Sequence, residues 1–368
     1  MTTHRTDRVL SVGQPIVPDP VRLAALMGES LAAGWLTNGG PLHQRLERAI
    51  APRLGGGSIG LVSSGTMALM VALRLGDLPP GAEIITPAIS FAATAQAIAW
   101  CGFRPVFADV DPDTLTLCPD AARAAITPRT AAILPVHFLG HPCDLDGLAA
   151  VARDAGLWLA YDAAHAFGLT VQGRAISEWG DASAFSFHAT KLFHTGEGGA
   201  VVLPPPGQTQ RIARLRNFGL SNGRMAGPGI NAKLPESAAA MGLAVLPELD
   251  AEIAARGRLR AAYDAALPGM GQHRARAGVS DSLLYYALRL PPARRASAVA
   301  ALADARILAR DTFPLLCGPG TCFPDAPIIT ARTEPTAPTV APQVMALPFH
   351  GGVTDTDVAR IGAILRGL

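Results

Sequence analysis

The stretch FSFHATKLFHTGEGGA, residues 185–200, places Lys191 between an aromatic segment and a glycine cluster. A lysine amine forms a Schiff base with a carbonyl when burial and nearby cations lower its pKa. Glycines such as those in GEGG let a ligand approach the backbone closely. A solvated surface lysine is the alternative, but the neighbouring phenylalanines favour a partly enclosed site; they are Phe185, Phe187 and Phe193.

Asp162 is a second candidate, because it ends an otherwise apolar run in LWLAYDAAHA, residues 157–166. A buried carboxylate requires a cationic partner or several hydrogen-bond donors, since burial otherwise forces it to protonate. A protonated pyridine nitrogen would be such a partner, and capping of the next helix is the alternative. His165 either contacts the same ring or is a core histidine with its hydrogen bonds satisfied.

Two further motifs follow apolar runs. In VSSGTMAL (62–69), Ser64, Gly65 and Thr66 precede an apolar helix. Hydroxyls beside the free backbone N–H groups of a helix start form a phosphate-binding cradle, although an ordinary N-cap uses the same residue types. In ITPAISFAATAQAI, Phe91 is placed to stack on a planar ring, although core phenylalanines are far commoner than ring-stacking ones.

Short apolar runs between residues 59 and 203 predict the strands that must position these side chains. Most are apolar throughout, which is typical of parallel strands covered on both faces, and helical patterns at 66–75 and 144–156 lie between them. The sequence therefore predicts an α/β domain, in which ligands bind beyond the carboxyl ends of the strands. The predicted strands are 59–63, 83–87, 105–110, 131–137, 157–162, 182–187 and 199–203.

The chain changes character after residue 203. Residues 219–231 are glycine-rich and predict no regular structure, and the Ala-rich segment 236–266 predicts a helix interrupted near Pro247. We predict a large N-terminal domain over residues 1–245 and a smaller C-terminal α/β domain over 246–368. Elements predicted beyond residue 266 are a strand within 283–290, helices at 294–310 and 353–367, and an irregular segment at 311–348.

Composition limits the classes of function. The chain has 368 residues, of which 49% are hydrophobic, and this length is enough for two domains. Its formal net charge is +2, and it lacks the basic runs that favour nucleic acid or a membrane surface as partner. No apolar stretch reaches the ~20 residues of a membrane span, and the N-terminus lacks a secretory-signal pattern. Five scattered cysteines without a CxxC pair favour a reducing compartment, so we expect a cytoplasmic protein.

Together, the four strand-end motifs supply a phosphate cradle, a ring-stacking aromatic, a carboxylate for a pyridine nitrogen and a lysine for a Schiff base. These features describe one ligand, pyridoxal 5′-phosphate. A metal site is the competing hypothesis, with His137, His141 and Cys143 of VHFLGHPCD as ligands. No second ligand cluster accompanies them, and structural zinc usually requires four ligands, so no metal is predicted.

The ordered motifs SSGT, PAISFAAT, DAAHAFG, SFHATKLFHTGEGGA, RNFG and GINAKL resemble the DegT/DnrJ/EryC1/StrS family of sugar aminotransferases. The family consists of fold type I enzymes that use pyridoxal phosphate, so the resemblance implies a large domain with a mostly parallel sheet between helices and a smaller C-terminal α/β domain. It extends from about residue 35 to residue 350. The variant SFHATK with EGGA and LRNFG resembles the branch that aminates nucleotide-linked 4-keto-6-deoxy sugars.

The resemblance also implies roles for residues. Lys191 forms the Schiff base and moves the proton, Asp162 pairs with the pyridine nitrogen, Phe91 lies against the ring, and His165 contacts the ring or its hydroxyl. Asn231 matches an asparagine that reaches the cofactor phosphate of the neighbouring subunit, which implies a homodimer with shared active sites. The residues that match phosphate-binding positions are Ser64, Gly65, Thr66 and Ser186.

The implied reaction is transfer of an amino group from glutamate or glutamine, through pyridoxamine 5′-phosphate, to a keto sugar in amino-sugar biosynthesis. A cyclitol or other cyclic ketone as acceptor, or a reaction other than transamination, is the alternative within this fold. Sugar 3-dehydratases of the family have histidine in place of the lysine, so Lys191 argues against that branch. A non-enzymatic DNA-binding regulator would require a basic recognition element, which the charge balance does not offer.

Two departures from the family pattern leave the acceptor open. The family often has His-Gly where this chain has Phe218-Gly219, and residues 311–348 match it only loosely. In relatives these regions help to shape the acceptor pocket.

Overall fold

The computed structural model describes residues 8–204, 206–271, 278–280, 282–311 and 313–368. The first seven residues, on which the N-terminal prediction partly rests, lie outside this range. The strands are β1 Ser58–Val62, β2 Glu83–Pro87, β3 Arg104–Ala108, β4 Thr130–Ile133, β5 Trp158–Asp162, β6 Thr170–Val171, β7 Arg174–Ala175, β8 Ala182–Ser186, β9 Gly199–Leu203, β10 Leu220–Ser221, β11 Arg224–Met225, β12 Tyr286–Arg289, β13 Arg310–Asp311, β14 Ile328–Ile329 and β15 Val344–Leu347. The α-helices are α1 Pro20–Ala33, α2 Pro41–Ile50, α3 Gly65–Arg74, α4 Ala92–Trp100, α5 Pro119–Ala124, α6 Leu145–Ala155, α7 Thr209–Leu215, α8 Glu236–Val245, α9 Leu249–Ala266, α10 Pro292–Asp304, α11 Ala337–Val340 and α12 Asp355–Arg366.

A mostly parallel sheet of eight strands occupies the centre, in the order β1-β9-β8-β5-β4-β2-β3-β14. Adjacent strands from β8 to β14 pair in parallel, whereas β9 runs antiparallel to both of its neighbours. The strands other than β9 therefore end at one common edge. Motifs that follow different strands are brought together there.

Helices cover both faces of this sheet, which explains the continuous apolar runs. Successive strand residues point to opposite faces, so Ile84 packs with residues of α3 and α4 while Ile85 packs with residues of α2, α6 and α8. Ala132 and Ile133 divide between the two layers in the same way. The predicted α/β class and the helices between the strands are confirmed, and each of the seven predicted strands is present, although β4 ends at Ile133 instead of residue 137.

The long predicted helix over 236–266 is divided as expected. Helix α8 ends at Val245, a 3₁₀ turn follows over Leu246–Glu248 with Pro247 in it, and α9 continues to Ala266. Proline has no N–H to donate to the preceding turn, so the break falls at this position.

The structure corrects three predictions for the later chain. The glycine-rich segment 219–231 contains a short hairpin of β10 and β11. The segment 311–348 contains β14, α11 and β15, because short buried apolar runs such as Val344–Leu347 pair with other strands despite the surrounding prolines. Helix α10 ends at Asp304 instead of 310, and Arg306 has a left-handed backbone with φ of 60°.

The C-terminal part forms a second sheet, in the order β12-β15-β13, which packs against α9, α10 and α12. Strand β14 comes from the same part of the chain but joins the large sheet beside β3. The domain division at residue 245 stays a prediction. Among the described residues, no helix has both the length and the apolar character needed to cross a bilayer.

Candidate active site

A cavity of about 320 Å³ lies at the common edge where the parallel strands end. Its wall combines residues that follow β1, β2, β4, β5 and β8 with residues of the C-terminal part around β12 and β13. The lining residues are Ser64, Gly65, Thr66, Leu69, Ser90, Phe91, Ala93, Val136, Asp162, Ala164, His165, Ser186, His188, Thr190, Lys191, Glu197, Tyr285, Arg310 and Phe313. Every site residue that the sequence predicts lines this cavity except Asn231.

Lys191 lies in the loop between β8 and β9. Backbone hydrogen bonds close this loop, from Ala189 N to Gly196 O and from Thr195 N to Phe187 O. Phe187 and Phe193 are buried beneath it, with ring centroids 5.0 Å apart, so the phenylalanines anchor the loop in the core. The lysine is thereby held at the cavity wall.

The glycines after Lys191 have a different structural reason from the one predicted. Gly196 has a left-handed backbone with φ of 78°, which favours glycine. A Cβ atom at Gly199 would lie 2.7 Å from the backbone oxygen of Ser64 and 2.6 Å from that of Phe185. These glycines therefore allow the backbone to pack closely against itself; Gly196 and Gly199 do not line the cavity.

Burial lowers the pKa of Lys191 from 10.5 to about 8. The carboxylate of Asp162 opposes this shift, and the guanidinium of Arg310 adds to it. An amine with a pKa of about 8 is neutral in about a tenth of molecules at pH 7, far more often than an exposed lysine. A neutral amine is nucleophilic and can accept a proton.

Asp162 ends β5 and is buried, with 4% of its surface exposed. Its Oδ2 accepts a hydrogen bond of 2.8 Å from the Thr94 hydroxyl, and its Oδ1 accepts one of 3.0 Å from Ala164 N. Burial raises the pKa of Asp162, whereas these two donors and the nearby Lys191 lower it. A carboxylate with open lone pairs on a cavity wall suits a cationic N–H partner.

His165 follows β5 and is buried against aromatic rings. Its ring is stacked on Phe313 at 5.2 Å and meets the Tyr285 ring edge-on at 5.2 Å. Burial lowers the pKa of His165 well below its usual value, and Lys191, Arg310 and His137 lower it further. Within the described part of the chain its buried Nδ1 has no hydrogen-bond partner.

Phe91 lines the cavity, and 53% of its surface is exposed. It immediately precedes α4 and meets Phe313 edge-on at 6.3 Å. An exposed ring in the wall of the same cavity as Lys191 and Asp162 offers an apolar surface for stacking.

The SSGT motif forms the start of α3 at the other end of the cavity. Ser64 is the N-cap, and its hydroxyl accepts a hydrogen bond of 3.1 Å from Met67 N. A Cβ atom at Gly65 would lie 2.7 Å from the Cβ of Ser186, so glycine lets β8 and α3 meet here. Ser64, Gly65 and Thr66 line the cavity, so the start of this ten-residue helix lies at its wall, and such a helix start attracts anions.

Asn231 lies apart from the cavity of its own chain. It is exposed and forms an isolated β-bridge with Asn217 beside the hairpin of β10 and β11. The residues around it include Phe218, half exposed, with the Lys233 amine 4.6 Å from its ring centre.

The cluster of His137, His141 and Cys143 has a structural arrangement. His137 Nδ1 accepts a hydrogen bond of 3.2 Å from Cys143 N, and the His137 ring stacks on Tyr161 at 4.7 Å. Cys143 Sγ donates to the Val136 carbonyl. Over the described ranges, no group of three or more His, Cys, Asp or Glu side chains is placed to hold a metal ion.

Sequence reasoning missed several residues of the wall. Ser90 and Thr94 lie within the PAISFAAT motif, so their hydroxyls could have been considered with Phe91. Arg310, Phe313 and Tyr285 come from the C-terminal part, more than ninety residues after Lys191. No local pattern in that part of the sequence indicates that these side chains reach the cavity.

The chain belongs to the DegT/DnrJ/EryC1/StrS aminotransferase family, whose model matches residues 21–366. It is therefore a pyridoxal phosphate-dependent aminotransferase, an enzyme that acts on small molecules, and the predicted family, fold class, enzyme class and cofactor are confirmed.

One relative and one solved structure match nearly the full length of the chain, and a second relative matches about three fifths of it. A dTDP-4-amino-4,6-dideoxy-D-glucose transaminase of Escherichia coli is 32% identical, covering 98% of this chain and 99% of the relative. An enzyme of the same name from Shigella dysenteriae is 43% identical over 61% of this chain and 60% of its own. The crystal structure of DesI with its TDP-sugar product superposes with a TM-score of 0.90 at 36% identity, covering 98% of this chain and 93% of that one.

Proposed function

We propose that this protein transfers an amino group from glutamate or glutamine to the keto group of a nucleotide-linked 4-keto-6-deoxy sugar, in amino-sugar biosynthesis. One observation carries the proposal: Lys191, with a pKa of about 8, and the buried Asp162 line the same cavity. The nucleotide is proposed to be dTDP, because relatives that match most of this chain are named for dTDP-sugar transamination or are solved with a TDP-sugar.

The cavity has the features that pyridoxal phosphate requires. The open lone pairs of Asp162 supply a polar partner for the ring, His165 also lines the cavity, and the exposed Phe91 supplies a stacking face. The helix start at Ser64, Gly65 and Thr66, together with Ser186, suits the phosphate. We assign these residues to cofactor binding.

The chemistry divides between the cofactor and the chain. Pyridoxal phosphate supplies the electron-withdrawing ring that allows an amino group and a proton to move between an amino acid and a ketone. Lys191 would hold the cofactor through its neutral amine, and once the amino group of the donor displaces that amine, the freed Nζ would accept and return the proton. Asp162, ionised and held by its two donors, keeps the ring nitrogen protonated.

We also propose that the enzyme is a cytoplasmic homodimer in which Asn231 contacts the cofactor phosphate of the partner subunit. Its exposed position outside the cavity of its own chain supports this assignment. The five cysteines are free, which supports a reducing compartment.

Absorbance spectroscopy tests the proposed reaction. The spectrum of the purified protein with pyridoxal phosphate is recorded before and after glutamate or glutamine, and then with a panel of dTDP- and UDP-linked keto sugars. We expect the donor to convert the lysine-bound band to that of pyridoxamine phosphate, and dTDP-4-keto-6-deoxyglucose to restore it. If the donor converts the band but no sugar restores it, the acceptor is a compound other than these sugars. If no donor changes the band, the protein catalyses a pyridoxal phosphate reaction other than transamination.

Mixed dimers test the shared site. A mixture of Lys191→Ala and Asn231→Ala chains that exchange subunits should recover about a quarter of wild-type activity, because half of the dimers then contain one intact site. The two inactive or weakened variants measured alone are the controls. No recovery after demonstrated subunit exchange would place Asn231 outside the partner's site.

A further inference from the structure

We infer that Ser90 and Thr94 form a directional hydrogen-bonded chain that donates to Asp162 and orients its carboxylate, so that both are positioning residues of this enzyme. The inference rests on the proposed function, because it assumes that Asp162 pairs with the ring nitrogen of the cofactor. Ser90 and Thr94 were not among the predicted site residues.

The hydrogen bonds from Ser90 through Thr94 to Asp162 are continuous. Ser90 Oγ lies 2.8 Å from Thr94 Oγ1, and Thr94 Oγ1 donates to Asp162 Oδ2 at 2.8 Å. Ser90 is 1% exposed and Thr94 is fully buried. Ser90 lies in the turn between β2 and α4, Thr94 lies in the first turn of α4, and Asp162 ends β5, two strands away from β2 in the sheet.

The direction of donation follows from proton counting. A hydroxyl carries one proton, and an ionised carboxylate only accepts. When Asp162 is ionised, the Thr94 proton is therefore committed to Asp162, and Ser90 must donate to Thr94. Ser90 also belongs to the wall of the cavity.

The hydrogen-bonded chain stabilises the charged form of Asp162. Asp162 is buried, and burial favours its protonated form. Ala164 N and the Thr94 hydroxyl are the two donors that oppose this effect, one on each carboxylate oxygen. Hydrogen bonds to a charged group in a buried site are stronger than those between neutral groups, and a chain of them is cooperative.

Other titratable groups also face Asp162. Lys191 comes from the loop after β8, and Cys143 follows β4. His137 N also donates to the Asp162 carbonyl. Of the side chains that shift the pKa of Asp162, Thr94 and Lys191 lower it, so removal of the Thr94 hydroxyl leaves Lys191 and Ala164 N to hold the charge.

The test compares Thr94→Val, Thr94→Ser and Ser90→Ala in the holoenzyme. Valine keeps the shape of threonine without the hydroxyl, and serine keeps the hydroxyl without the methyl group. Thr94→Val should bind pyridoxal phosphate about tenfold more weakly and lower kcat by at least as much, with the donor KM within about twofold of wild type. Its acid limb of kcat against pH should move to higher pH, because Asp162 protonates more readily.

The two other variants grade the effect. Thr94→Ser should restore cofactor affinity and the pH profile to within about twofold of wild type, since the donor is retained. Ser90→Ala keeps the bond to Asp162 and removes only its supporting donor, so its change should be smaller than that of Thr94→Val. Thermal unfolding of each apoprotein controls for a loss of folding.

Three outcomes would overturn the inference. One is Thr94→Val with wild-type cofactor affinity and pH profile in an enzyme that transaminates normally. Another is equal impairment of Thr94→Ser and Thr94→Val, which would indicate packing of the methyl group. If Thr94→Val does not fold, Ser90→Ala with wild-type cofactor affinity and pH profile would overturn it. A wild-type protein that fails to bind the cofactor would instead disprove the proposed function itself.

Discussion

Two buried aspartates lie at the same edge of the large sheet, and the chain supplies three hydrogen-bond donors to one of them and two to the other. Asp109 follows β3 and is 1% exposed. It accepts hydrogen bonds from the Thr330 hydroxyl at 3.0 Å and from the backbone N–H groups of Thr336 and Ala337 at 2.8 Å each. Asp162 ends β5, accepts two hydrogen bonds, and faces the cavity beside Lys191.

The two strand ends differ in the residues that the C-terminal part of the sequence places beside them. At the end of β3, residues 330–337 fold back and close the edge, so Asp109 caps the start of α11. At the end of β5, the C-terminal part contributes Tyr285, Arg310 and Phe313 as a wall and leaves a space between them. A strand-end carboxylate therefore becomes structural or functional according to whether the chain itself supplies all of its donors.

Replacement of Lys191 should give the largest effect on the functional strand end. Lys191→Arg retains a positive charge, but a guanidinium stays protonated at all working pH values and cannot act as a neutral amine. We expect loss of the lysine-bound absorbance band and a fall in transamination of at least about 10³-fold, measured by the amino-sugar product.

The matched control is the other lysine, because the chain has only two. Lys233 donates to Asn217 Oδ1 at 2.9 Å and lies over Phe218, and arginine can make both contacts. Lys233→Arg should retain activity within about twofold of wild type. Equal losses in the two variants would show that the chemistry does not require the amine of Lys191.

Asp162→Asn should separate catalysis from folding. The amide cannot hold a positive charge on the ring nitrogen, so kcat should fall by about 10²- to 10⁴-fold. Burial disfavours the charged form of Asp162, so a neutral side chain of the same shape should leave the unfolding temperature unchanged or raised. Kinetics and thermal unfolding on the same preparation measure both effects. Wild-type turnover would remove Asp162 from the mechanism.

The sequence predicts the functional strand end better than the structural one. Apolar runs locate the strands, and the ends of β5 and β8 then point to Asp162 and Lys191, because parallel strands end at one edge. Asp109 also follows an apolar run, yet its donors are more than two hundred residues away in the segment predicted to be irregular. Burial and partners are properties of the tertiary fold, so the same local pattern cannot distinguish the two aspartates.

The same reason explains the mixed outcome for the cavity. The sequence is compatible with Ser64 as a phosphate ligand or as an N-cap. In the structure Ser64 makes the N-cap hydrogen bond and also lines the cavity. Arg310 and Phe313 follow helix α10 in a segment with little periodicity. Their approach to His165 depends on how the C-terminal part packs, which no local spacing encodes.

The pH dependence of cofactor attachment tests the functional strand end through one group, the amine of Lys191. With a pKa of about 8, its neutral fraction rises with pH up to that value. The rate constant for attachment of pyridoxal phosphate to the apoenzyme should rise about tenfold per pH unit below pH 8 and level off above it. Stopped-flow absorbance measures this rate. A midpoint near 10.5 would show that the cavity does not lower the pKa of Lys191.

Asp109→Asn should have the smallest effect on catalysis and the clearest effect on folding. Thr336 N donates to one carboxylate oxygen and Ala337 N to the other, whereas asparagine has a single acceptor oxygen. In either amide orientation one buried N–H faces an NH₂ group, which should lower the free energy of unfolding by about 1–3 kcal/mol.

Thermal unfolding and kcat per folded molecule measure the two sides of this prediction, with kcat expected within about twofold of wild type. Asp162→Asn is the matched comparison, since it makes the same chemical change at the open strand end. A stable Asp109→Asn protein with impaired kcat would reverse the two assignments. Loss of stability with normal kcat would establish that the closed strand end supports the fold while the open one supports the reaction.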